Sequence, residues 1–131
     1  MIGPKTAKPT AAEETRAYAA ATERDRGWCV RCGRAGAVER DHRQNRSQGG
    51  LTVPSNLQCL CPTCHAWKTH NPAAAVLEGF AVPGWGNPAE WPAYRADVAS
   101  WVLYFDAPDG FGNWWIEITQ ATADALMTGG L

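Results

Sequence analysis

Five cysteines stand at positions 29, 32, 59, 61 and 64 of this 131-residue chain, and four of them form two pairs of identical spacing. Two residues separate Cys29 from Cys32 and Cys61 from Cys64, and 28 residues lie between the pairs. That spacing lets a tight knuckle present both thiolates to one side of a tetrahedral ion, and two knuckles complete a four-cysteine zinc site. Met1 to Thr10 lacks the charged-then-apolar pattern of a secretory leader, so metal ligation is expected rather than disulfides. The segment between the knuckles is poor in apolar residues, and a metal has to hold it together. Cys59 is the odd one out. It could compete as a ligand, but a small buried residue in a strand is the favoured reading.

The same stretch contains all three histidines, His42, His65 and His70. Asp41-His42 precedes a polar loop, Asn56 closes that loop, and His65 directly follows the last paired cysteine. In order, the chain reads Cys-x2-Cys, Asp-His-Arg, Arg-Ser-x-Gly-Gly, Ser-Asn-Leu-x-x-Leu-Cys-x2-Cys-His and Lys-Thr. This series, over about residues 28–72, resembles the zinc-containing HNH endonuclease family, especially the small HNH proteins encoded by bacteriophages.

The resemblance implies a ββα-metal (His-Me finger) core and a set of roles. Asp41 and His65 match the ligands of a catalytic divalent ion (Mg2+, Mn2+, Ni2+ or Zn2+), and His42 matches the general base. Asn56 matches the asparagine that ties down the loop and orients the base, while Cys29, Cys32, Cys61 and Cys64 match the structural zinc ligands. It also implies DNA as substrate, 5′-phosphate and 3′-hydroxyl products, and a phage terminase or portal protein as partner. The chemistry agrees. An imidazole titrates near neutrality and can take a proton from water. A cation held by one carboxylate and one imidazole keeps positions open for phosphate oxygens. Adjacent residues on a strand face opposite ways, so Asp41 can hold the ion while His42 faces the water. His70, five residues after His65 and off its helical face, reads as a surface or capping residue. The rival is a zinc module that binds DNA or a packaging partner without cutting. Such a module has no need of Asp41, His42, Asn56 and His65 together.

Net charge is −1, but it is unevenly spread. Residues 1–70 carry eleven Lys and Arg against six Asp and Glu, a net +5; residues 71–131 carry one against seven, a net −6. A basic working half suits a polyanionic substrate. Arg40, Arg43, Arg46 and Lys68 flank the Asp-His motif and are candidate phosphate contacts that position DNA without reading bases. Nothing resembles a recognition helix.

Several elements must position these groups. Thr10 and Glu13 form a capping-box signal for an N-terminal helix over 11–27, with Tyr18, Ala21 and Thr22 inward and Arg16 and Arg24 outward. A knuckle, an extended Ala37–Arg43, a polar loop from Gln44 to Ser55, and a strand at Leu57–Leu60 follow. Cys61-Pro62 starts a helix that must stop near Asn71-Pro72, and Ala73–Glu78 is a smaller helical piece. Residues 1–10 read as a disordered tail, 28–72 as the core, and 73–131 as an extension. In that extension a Trp-, Pro- and Gly-rich connection leads to a β-hairpin of Val98–Asp106 and Trp114–Thr119, with a weak helical turn after it. Most of the seven tryptophans are expected to be core, and an outward one at Trp114 or Trp115 would mark a docking patch. The fold class is α+β: a ββα-metal core stapled by zinc, with an N-terminal helix and a C-terminal hairpin. No apolar run is long enough to span a membrane, which points to a soluble, cytoplasmic protein, in the bacterial host if phage-encoded.

Overall fold

The structure is a computed structural model that describes residues 8–129. The expected disordered tail falls mostly on residues 1–7, outside that range, but Thr10 caps helix α1 (Ala11–Asp25). Its hydroxyl accepts from Glu13 N at 3.1 Å, and Thr10 N donates to the Glu13 carboxylate at 2.9 Å. Such a reciprocal cap is worth about 1 kcal/mol. The helix ends earlier than expected, where Arg26 turns left-handed at φ 58°. Ala17, Ala21, Arg24 and Asp25 make its buried face. Arg24 is thus inside, not outward. Its guanidinium grips Asp25 and the carbonyls of Pro54 and Leu57, and lies 3.9 Å from the Tyr104 ring centre.

Strands β1 (Glu39–His42) and β2 (Leu57–Leu60) pair antiparallel, with Asp41 opposite Gln58 and His42 opposite Leu57. All four residues of β2 are buried, because α1 covers one face and the cysteine knuckles the other. Cys61 then caps α2 (Pro62–His70), which stops at Asn71 before Pro72 opens α3 (Pro72–Glu78). The centre is the expected ββα unit.

The C-terminal third is larger than a hairpin. Strands β3 (Ala93–Arg95), β4 (Ser100–Tyr104) and β5 (Trp115–Ile118) form an antiparallel sheet in that order, and α4 (Gln120–Thr128) follows. β3 has only three residues, too short to show an alternating pattern, and it exists because β4 supplies its partners. Thr119 caps α4 by accepting from Thr122 N, which turns the expected weak turn into two and a half turns of helix. Neither Trp114 nor Trp115 is fully outward; both are half-buried, and Trp115 stacks on the Arg95 guanidinium at 4.1 Å. This sheet is continuous with the core. Arg95 pairs with Asp25, Tyr94 N donates to the Gly79 carbonyl, and Ala96 N donates to Val30 O. Among the described residues no helix is long and apolar enough to cross a membrane.

Candidate active site and metal centre

The two knuckles meet. Cys29 to Cys32 curls so that Gly33 N donates to Cys29 O, and Cys61 Sγ accepts from Cys64 N at the start of α2. The four Sγ atoms lie within 4.8 Å of one another, with Cys32 and Cys61 3.7 Å apart. A zinc tetrahedron with bonds of ~2.3 Å has edges of about 3.8 Å, so the Cys32–Cys61 edge already matches zinc and all four thiols lie close enough to close on one ion. Leu60, Val30, Phe80 and Trp67 pack around them, and the Arg31 guanidinium lies 3.6 Å above the Trp67 ring. Cys59 is not part of the cluster. It points toward α1, and burial pushes its thiol up to about 12, so it remains a neutral S–H.

His65 follows Cys64 in the first turn of α2, so the zinc knuckle sets its place. Its Nδ1 lies 3.6 Å from Asp41 Oδ1 and 3.1 Å from Glu39 Oε2. The same nitrogen is buried and makes no bond of hydrogen-bonding geometry among the described residues. His65 Nδ1 thus faces two carboxylates of β1, nitrogen and oxygen donors of the kinds a divalent cation accepts, whereas the four cysteines are the one group of three or more such side chains drawn within 4.8 Å of one another among the described residues. Sequence reasoning missed Glu39. The signal available was the period of two along β1, which puts Glu39 on the face of Asp41.

Asp41 is itself held. Its Oδ2 accepts from Gln58 Nε2 at 3.0 Å and from Lys68 Nζ at 2.9 Å, which leaves Oδ1 toward His65. His42, the next residue, points the other way, into contact with Tyr18, Arg46 and Thr52. Burial, reinforced by Arg46 and Lys68, lowers its affinity for protons below that of an ordinary histidine, so the ring is neutral near pH 7. In the tautomer that carries its proton on Nε2, that N–H donates to the Thr52 hydroxyl oxygen at 2.9 Å and Nδ1 is left bare to accept from water.

The loop between these elements hangs on Asn56, which is wholly buried. Its Oδ1 accepts from Gln44 N at 2.7 Å, and its Nδ2 donates to Gln44 O and Leu51 O. Its own carbonyl accepts from Arg43 N at 2.7 Å. Gly50 is pressed against this anchor: a Cβ there would sit 1.9 Å from the Gln44 carbonyl oxygen. No other residue fits. Asp41, His42 and His65 share one cleft of about 720 Å3, along with Arg40, Arg46 and the segment from Ala81 to Trp85.

Residues 29–71 match the family model described as HNH endonuclease. The match is to an HNH endonuclease domain and covers about a third of the chain. It spans both knuckles, β1, β2 and α2, close to the limits read from the residues. No curated protein and no solved structure matches the chain.

Around this stretch, two of the candidate phosphate contacts need correction. Arg43 is fully buried, and its guanidinium donates to the carbonyls of Ser55, Pro88, Trp91 and Pro92. Burial lowers its pKa to about 10, and no carboxylate pairs with it among the described residues. It is an internal clamp at the wall of the cleft, its guanidinium spent on carbonyls. Lys68 is also buried, and its ammonium is committed to Asp41 and the His42 carbonyl. It positions the site instead of meeting solvent. Arg46 and Arg40 are exposed, with Arg46 resting on the Tyr18 hydroxyl at 2.9 Å and Arg40 on Thr22. His70 is exposed at the end of α2, away from any metal cluster seen among the described residues.

Proposed function

We propose that the protein is a divalent-metal-dependent DNA endonuclease that cuts one strand per visit, with a structural zinc holding its active site in shape. The observation that carries this reading is the orphaned His65 Nδ1 facing Asp41 and Glu39, in the same cleft as a neutral His42. A zinc module that only binds has no use for that arrangement.

Asp41 and His65 would hold the catalytic ion, which supplies charge neutralisation at the scissile phosphate and the departing oxygen. With its Nε2–H donated to the Thr52 hydroxyl oxygen, His42 takes the proton of the attacking water at Nδ1. Asn56, through Gln44 and Arg43 N, keeps the segment after His42 from drifting and so orients the base. Gln58 and Lys68 fix the Asp41 carboxylate. Arg46 and Arg40 anchor the phosphate backbone beside the cleft. Service to a phage packaging machine, with a terminase or portal partner, rests on the sequence resemblance alone.

The test is cleavage of supercoiled plasmid by the zinc-loaded chain after loosely held ions are removed, then with Mg2+, Mn2+, Ni2+ or Zn2+ added back. Nicked circles should accumulate before linear DNA, only with an added ion, and the nicks should be sealed by ligase without end repair. Intact plasmid with every ion, from a folded chain holding one zinc, would contradict the reading.

A further inference from the structure

Trp85 is the most exposed tryptophan whose side chain the structure describes, at 74%. It also lines the cleft that holds Asp41, His42 and His65. Leaving so large an apolar ring in water forgoes the gain of burying it. Its backbone, however, is firmly set. Pro83 to Gly86 is a tight turn closed by Gly86 N to Pro83 O at 2.9 Å. Gln44 Nε2 ties that turn to the catalytic loop, donating to Pro83 O at 2.9 Å and to Gly86 O at 2.8 Å. Gly86 itself lies on the buried Trp91, where a Cβ would stand 2.9 Å from the ring. Trp91 meets the Trp85 ring edge to face, with centres 5.0 Å apart. The aromatic face is thus presented, not loose, and it is fixed relative to the residues that anchor His42.

We propose that Trp85 is a stacking platform for an unpaired base, and that the preferred substrate is DNA with a single-stranded, gapped or flapped stretch at the cut. The proposal rests on the nuclease reading and adds the substrate class. Exposed Arg40 and Arg46 line the same cleft and take the phosphates, while the Ala81–Trp85 segment brings no charge of its own. A cationic track with an aromatic platform beside it is how proteins hold single strands without reading sequence. In a fully paired duplex both faces of each base are covered by its neighbours, so Trp85 has nothing to stack on there. A protein partner docking on Trp85 would need no such tie between this turn and the catalytic loop.

The experiment measures binding of His42→Ala chains with Mg2+ present, by fluorescence anisotropy. The probes are a labelled single-stranded oligonucleotide, its duplex, and an abasic strand of the same length. Trp85→Ala should weaken binding to the single strand by about 5- to 100-fold, as loss of one stacked base requires. Binding to the duplex and to the abasic strand should stay within twofold, and the salt dependence should be unchanged because no phosphate contact is lost. Trp85→Phe should recover most of the affinity. Equal loss on all three probes, or no loss on the single strand, overturns the platform and leaves the nuclease standing. Failure of the parent His42→Ala chain to bind any of the three overturns both.

Discussion

Arg43 and Arg46 stand three residues apart, and in the sequence nothing distinguishes them. The structure gives them opposite duties. Arg43 donates to carbonyls 12 to 49 residues away, and such long-range acceptors leave no trace in local composition. Arg43→Met should therefore lower stability by about 3–5 kcal/mol in urea unfolding, since several buried carbonyls lose their donor. Arg46→Met should leave the urea midpoint almost unchanged, weaken DNA binding several-fold, and reduce the salt slope of binding by about one. Asp41, His42 and His65 stood out in the sequence because metal-assisted hydrolysis asks for those residue types, and the fold brings all three to one cleft. Glu39 was not, for a glutamate on a short exposed strand looks like any solvated charge until His65 is brought to it.

At the scale of elements, zinc and helix α2 work as one piece. Cys61 caps the helix, Cys64 lies in its first turn, and His65 is the next residue, so one turn of chain sets both the cysteine cluster and the His65 imidazole. Cys61→Ser should lose bound zinc and the cooperative unfolding transition together. Cys59→Ser should keep one zinc per chain and cost about 1–3 kcal/mol, the price of burying a hydroxyl against α1. Metal content by mass spectrometry under native conditions separates the two. The strands and helices of this unit were readable from caps, prolines and paired cysteines, which are local signals. β3 and α4 were not, because β3 depends on β4 for its existence and α4 follows a strand whose pattern dominates the window.

Across the whole molecule, the basic and acidic halves of the sequence are sewn together at Asp25. Arg24 from its own helix and Arg95 from the C-terminal sheet both bond its carboxylate, and Cys59 N donates to it as well. Burial alone would raise its pKa, but the two arginines outweigh that and hold it below the usual 3.8. A carboxylate depressed in the folded state adds stability above its unfolded pKa and loses it as pH falls through the lower, folded value. Asp25→Asn should therefore be clearly less stable than the parent at pH 7, and the gap should close as pH drops below about 4. Zinc release in acid affects both chains alike, so the difference between their urea midpoints isolates Asp25. The charge asymmetry was visible from the start, yet it foretold only the basic cleft. The buried ion pair that joins the halves, Asp25 with Arg95, needed the tertiary fold to be seen.

The central claim is that His42 is the base of a nuclease whose frame is held by zinc, and one substitution addresses it. Plasmid cleavage by His42→Ala should fall by at least 100-fold, while zinc content, urea midpoint and DNA affinity remain those of the parent. Cleavage at the parental rate by a zinc-loaded His42→Ala chain would contradict the account.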